Sequence, residues 1–117
     1  MKENYDYIIC GAGLSGLILA SRIFDDRFFD DKNILLIDKN PFVGGMLNIS
    51  GGHISAANSK LQISKGISDS PDAHYRDAMR MGRYLNNSEL LKIATDNAAS
   101  MVDWLAEIGV EFTAESP

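Results

Sequence analysis

The segment Cys10-Gly11-Ala12-Gly13-Leu14-Ser15-Gly16 follows directly on the apolar run Tyr7-Ile8-Ile9, which sets Gly-x-Gly-x-x-Gly at a strand-to-helix transition. Each glycine has a separate physical task. Gly11 permits a sharp turn, Gly13 lets the backbone approach a pyrophosphate with no Cβ in the way, and Gly16 allows the helix to pack closely on the strand. The N-terminus of that helix presents N–H groups without intrahelical partners at the positive end of the helix dipole. The pattern points to a dinucleotide-binding turn.

The second anchor is Asp38, which closes the apolar run Ile34-Leu35-Leu36-Ile37 and stands 22 residues beyond Gly16. The acid that accepts ribose hydroxyl hydrogen bonds is expected about 20 residues after the glycine turn. Strand, turn, helix, strand and acid therefore occur in the order of a βαβ nucleotide fold, and taken alone they suit NAD as well as FAD.

Composition limits the partners. With 16 acidic against 11 basic side chains the net charge is −5 and no cluster of Lys or Arg is present, so a nucleic-acid partner is not expected. A nucleotide's phosphates then fall to backbone amides and the helix dipole. The one cysteine, Cys10, allows no internal disulfide and no Cys-x-x-Cys site; it is expected as a small core residue at the end of the first strand. Met1-Lys2-Glu3-Asn4 leads straight into that strand, and no apolar run approaches membrane-spanning length, so membrane insertion is not expected and a cytoplasmic location is.

Along the chain, the pattern predicts a strand over 6–10, a helix over 15–24 burying Leu17, Ile18, Ala20 and Ile23, and a strand over 33–38. The charged stretch 25–32 between them reads as a solvated connection with Phe28 and Phe29 folded back on the domain. Two glycine pairs, Gly44-Gly45 and Gly51-Gly52, then flank Met46-Leu47-Asn48-Ile49-Ser50 in what reads as a loop, allowing the backbone to pass against a ligand at two points. Ser70 as N-cap and Pro71 at the first helical position start a helix that ends near Arg83. Asn86 or Asn87 caps the next, with Glu89 in place for a capping box, and Leu91, Ala94, Ala98, Met101, Val102, Leu105 and Ile108 recur at helical spacing until Gly109. Trp104 and the methionines belong to a core, and His74 to the exposed face of a polar helix.

Gly11-Ala12-Gly13-Leu14-Ser15-Gly16, Asp38-Lys39 followed by Gly44-Gly45, and Ser50-Gly51-Gly52 together resemble the flavoprotein family of fumarate reductase, succinate dehydrogenase, flavocytochrome c-type reductases and 3-ketosteroid dehydrogenases. The stretches 69–79 and 101–112 are also similar to it, so the resemblance covers nearly the whole chain. It implies an α/β fold: the N-terminal part of a Rossmann-like FAD-binding domain, incomplete without downstream sequence. It further implies that the three motif segments touch the FAD pyrophosphate, the adenosine ribose, and the ribityl and flavin region, respectively. In a complete protein of this family a hydride passes between flavin N5 and a carbon of a C–C single or double bond of a small-molecule substrate.

The chain departs from the family pattern in three places. Members carry Thr, Ser or Asn after the first glycine pair, where this chain has Met46-Leu47, and Asn48 is the next polar side chain. The membrane-complex enzymes bind flavin covalently through a histidine between the glycine segments; none lies between Gly44 and Gly52, which implies non-covalent FAD, while His53 just beyond is expected to be packed or solvent-facing. The proton-transferring residues and capping domain of the family lie beyond Val110-Glu111-Phe112, so that Pro117 reads as a truncation and the chain as a cofactor-positioning segment with no catalytic residue. The competing expectations are an NAD-dependent dehydrogenase and a non-catalytic nucleotide-binding remnant.

Overall fold

The computed structural model describes residues 4–25 and 32–112. The expected placement of Phe28 and Phe29 lies outside the described residues. Two compact units divide the chain, Met1–His53 and Ile54–Pro117.

In the first unit, strand β1 (Tyr7–Cys10) leads through the glycine turn into helix α1 (Leu14–Phe24), and strand β2 (Ile34–Ile37) returns beside β1. The strands are parallel, with Tyr7 opposite Ile34 and Cys10 opposite Ile37, as a helical crossover requires. The ladder starts at a side-chain clasp: Asn33 N–H donates to Asp6 Oδ2 at 2.8 Å, and Asp6 N–H donates to Asn33 O at 2.9 Å. Ile9 from β1 and Ile23 from α1 are buried, and Leu17, Ile18 and Ala20 are partly covered, as the apolar spacing predicts. Cys10 departs from expectation. It is exposed rather than a core residue, because alternation along the strand sends Ile9 inward and its neighbours Ile8 and Cys10 outward.

The segment expected as a loop after the first glycine pair contains a 3₁₀ helix, Gly45–Ile49, whose N-cap Gly44 has φ +105° and whose first residue, Gly45, has φ +52°. These left-handed conformations let the chain fold back tightly where a side chain at Gly44 would be strained.

The second unit is helical: α2 (Lys60–Ser64), α3 (Pro71–Met81) and α4 (Ser88–Glu107). The Ser70 hydroxyl caps α3 by accepting from Ala73 N–H at 3.1 Å, with Pro71 in its first turn, as the sequence predicts. Asn87 caps α4 through Leu90 N–H at 3.0 Å. With the cap at Asn87, Glu89 falls one position short of completing a capping box and instead places its charge at the positive end of the helix. The unpredicted α2 depends on contacts distant in sequence: Lys60 N–H donates to Asp103 Oδ1 at 3.0 Å, and Lys60 Nζ pairs with Glu107 at 3.1 Å. Helix α4 packs on both α2 and α3. It therefore buries Val102 and Trp104, two residues apart on different sides, together with Thr95, whose hydroxyl lies 3.1 Å from Leu91 O and 3.2 Å from Lys92 O. Lys92 bridges the helix pair through Asp72 of α3 and Asp96 of α4. His74, expected on an exposed face, is half-buried with its Nδ1 shielded from solvent, because α3 lies against α4.

Candidate dinucleotide site

Four short hydrogen bonds tie together the glycine turn, the C-terminal end of β2 and the first glycine pair. Gly11 N–H donates to Ile37 O at 2.7 Å, which extends the parallel ladder one step past the strand. Ala12 N–H donates to Asp38 Oδ2 at 2.7 Å, and Asn40 N–H to Asp38 Oδ1 at 2.8 Å. Gly44 N–H donates to Ala12 O, also at 2.7 Å. The peptide groups flanking Ala12 are thus held on both sides, by the Asp38 carboxylate and by the first glycine pair, and Ala12 itself is only 2% exposed.

Asp38 carries two loads. Its bond to Asn40 is an Asx turn that bends the chain away from β2, and its bond to Ala12 fixes the glycine turn. The Asn40 and Ala12 N–H groups, in that order, hold its carboxyl below the usual carboxylate range, assisted by the Lys39 charge. Each carboxylate oxygen has a second lone pair, so the group retains capacity to accept from ligand hydroxyls.

The three glycines of the motif differ in what surrounds them. A Cβ on Gly16 would lie 1.8 Å from Gly11 O and 3.0 Å from Gly11 C, so Gly16 serves the packing of α1 on the turn. Gly11 has φ +107° and makes the turn. A Cβ on Gly13 would meet nothing within 4 Å, so the need for glycine there does not come from the protein's own packing. Gly13 is also the N-cap of α1 and supplies no capping side chain, leaving the first-turn N–H groups directed past an open backbone.

These elements border a cleft of about 590 Å³ lined by Cys10, Gly11, Gly13, Ile37, Asp38, Lys39, Asn40 and Gly45. That size accommodates a nucleotide-sized ligand. Of the predicted site residues, Gly11, Gly13, Asp38, Lys39 and Gly45 therefore share one cavity. Ala12 and Gly44 are buried behind its wall, Leu14 and Ser15 stand exposed on the first turn of α1, and Gly16 lies beneath the turn. Met46 is 75% exposed, and Ser50, Gly51, Gly52 and His53 are exposed without lining the cleft. Cys10, Ile37 and Asn40 line it without having been singled out. Asn40 was open to detection, since Asp-x-Asn after a strand is an Asx-turn pattern.

Among the described residues no group of His, Cys, Asp and Glu is arranged to hold a metal ion, and no helix is long and apolar enough to cross a membrane.

A family model described as "FAD binding domain" matches residues 6–116. The chain is 36% identical over 105 residues to a fumarate reductase of Schizosaccharomyces pombe, covering 90% of this chain and 20% of that protein. It is 31% identical over 108 residues to an NADH:fumarate oxidoreductase of Klebsiella pneumoniae, covering 92% of this chain and 11% of the relative. A solved structure of a flavocytochrome c3 fumarate reductase in its open conformation superposes with a TM-score of 0.76 at 32% identity, over 92% of this chain and 18% of that one. The chain thus spans a fifth or less of the length of these relatives.

Proposed function

This chain belongs to the FAD binding domain family, and from that premise we propose that it serves as the cofactor-positioning part of an oxidoreductase acting on carbon–carbon single or double bonds of a small-molecule substrate. The observation that carries the positioning role is the contrast between Gly16, closed by the protein's own backbone, and Gly13, open to the cleft. An open glycine at the N-terminus of α1, facing a cavity that also contains Asp38, suits a pyrophosphate followed by a ribose. When bound, FAD supplies a hydride donor and acceptor.

The roles of the chain's own residues follow from their places. Gly11 and Gly13 bring main chain against the pyrophosphate, and the N–H groups of Leu14 and Ser15 favour its charge. Asp38 accepts from ribose hydroxyls with the lone pairs left over from Ala12 and Asn40, with Lys39 beside it at the cleft. Gly45 lines the cleft, and Met46, Ser50, Gly51 and Gly52, which follow it along the chain, would meet the ribityl and flavin part of the cofactor. No residue of the chain is assigned a proton-transfer role.

Non-covalent attachment belongs to the same proposal, supported by the lack of histidine between Gly44 and Gly52. So does a cytoplasmic location, and among the described residues no helix is long and apolar enough to cross a membrane. The acidic balance favours small-molecule and redox partners over nucleic acid.

The test is to purify the chain, with whatever sequence adjoins it in its gene, and to record its visible spectrum and its titration with FAD. A bound flavin spectrum that Gly13→Val abolishes is expected. Colourless protein that binds NAD but not FAD would overturn the proposal.

A further inference from the structure

The first glycine pair reaches the nucleotide turn through one short bond, Gly44 N–H to Ala12 O at 2.7 Å, and a Cβ built on Gly45 would stand 3.5 Å from Gly13 Cα. Whatever fixes Gly44 and Gly45 therefore fixes a wall of the cleft beside the open glycine. They hold left-handed conformations, with φ +105° and +52°, and Leu47 N–H donates to Gly44 O at 2.9 Å. A polar side chain also lies directly on Gly44. Asn48 Nδ2 donates to Val43 O at 3.0 Å, and the same amide covers Gly44 so closely that a Cβ there would lie 2.6 Å from Asn48 Oδ1 and 2.9 Å from Nδ2.

Asn48 sits one turn into the 3₁₀ helix, so its bond back to Val43 closes that helix onto the residue preceding Gly44. A mechanical sequence results: the Asn48 amide holds Val43 and Gly44, Gly44 holds Ala12, and Ala12 is held from its other side by Asp38. The side chains that immediately follow the glycine pair, Met46 and Leu47, are exposed and apolar and have no donor for this task.

We propose that Asn48 is a positioning residue for the dinucleotide: it acts through Val43 and Gly44 to hold the Gly44–Gly45 backbone against Ala12 and Gly13, without itself touching the ligand. This inference rests on the FAD reading of the cleft. Because Asn48 is exposed, losing its bond costs the fold little, and the effect falls on how well the wall is formed when ligand arrives.

The experiment compares Asn48→Leu, Asn48→Gln and the unsubstituted protein by FAD titration, FAD dissociation rate and thermal unfolding of the FAD-free form. Asn48→Leu keeps bulk over Gly44 and removes the donor; Asn48→Gln keeps an amide donor on a longer stem. Asn48→Leu is expected to weaken FAD binding by about tenfold, the upper range for one hydrogen bond, chiefly by faster dissociation. Asn48→Gln should retain more affinity, and the FAD-free unfolding midpoint should be the same in all three. If the unsubstituted protein binds FAD and Asn48→Leu binds it equally well, the proposal is overturned and the FAD reading stands. Equal weakening by both variants with a matching fall in the FAD-free midpoint would also overturn it, since a purely structural role predicts that result. If the unsubstituted protein binds no FAD, both fall.

Discussion

Gly13 and Gly16 lie three residues apart in one motif, yet alanine at each should produce opposite signatures. At Gly16 the added methyl would sit 1.8 Å from Gly11 O, where ordinary contact begins at 3.4 Å, a shortfall of 1.6 Å against backbone rather than a flexible side chain. Replacing glycine by alanine inside a helix normally stabilises by about 1 kcal/mol, whereas forcing a methyl into a closed contact costs about 1–3 kcal/mol and occasionally more. Since Gly11 already holds φ +107° and donates its N–H to Ile37 O at 2.7 Å, it cannot retreat without breaking the ladder, so the clash dominates. A contact 1.6 Å too short against backbone takes the upper end of that cost, about 3 kcal/mol less the gain of about 1, and a net loss of about 2 kcal/mol corresponds to a fall in unfolding temperature of roughly 6–12 °C for a chain of this size. At Gly13 the methyl meets nothing within 4 Å and the backbone, φ −79°, suits any residue. Gly13→Ala should therefore leave the FAD-free protein as stable as before, or slightly more stable, while lowering FAD affinity because the methyl occupies the approach to the pyrophosphate. Calorimetry or circular-dichroism melting of both variants without FAD, followed by FAD titration, decides the matter. If Gly16→Ala melts like the unsubstituted protein, or Gly13→Ala destabilises the FAD-free form and binds FAD normally, the two glycines do not divide packing and ligand approach between them.

Asp38→Ala removes both the carboxylate that fixes Ala12 and Asn40 and the acceptor proposed for the ribose, so FAD affinity should fall by at least about tenfold in equilibrium titration. The Asp38 carboxyl is held below its usual 3.8 in the folded chain, so the unfolded chain binds more protons in the window below that value and stability there rises with pH. Acidification below 3.8 should progressively erase the difference in urea midpoint between the unsubstituted protein and Asp38→Asn; a gap that is constant from pH 6 to pH 3 would refute the assignment. Lys92, whose pKa is raised by its bonds to Asp96 and Asp72, should conversely keep linking α3 and α4 up to and beyond pH 10.5. Any gap in urea midpoint between the unsubstituted protein and Lys92→Met should therefore be the same at pH 7 and pH 9, and a gap that closes by pH 9 would contradict that. Acid precipitation of the yellow protein should leave all flavin in the supernatant, and colour retained in the pellet would reveal a covalent link.

What was legible in the chain is what local chemistry decides. Gly11 and Gly16 could be placed because the demands of a turn and a packed helix are met at fixed spacings, and the same spacings mark Gly13 and Asp38 for the roles proposed for them. Ser70-Pro71 and the pair Asn86-Asn87 announced helix starts for the same reason, since capping involves residues only two or three apart, and the structure selects Asn87. The features that escaped depend on distant partners. Helix α2 is tied by Asp103, 43 residues away, and Thr95 is buried with its hydroxyl turned back onto its own helix, so polarity gave no hint of its place. The 3₁₀ helix has no apolar period, and it forms where Gly44 and Gly45 take left-handed conformations under the Asn48 amide. Spacing marks Asp38 for the ribose-acceptor role proposed above, whereas its bond to Ala12 spans 26 residues and emerges only when the strands pair. The carboxylate that builds the turn is also the one proposed to accept from the ribose, so a substitution at Asp38 that removes that acceptor disturbs the turn as well. The separation has to be sought at Gly13, where the fold makes no demand of its own.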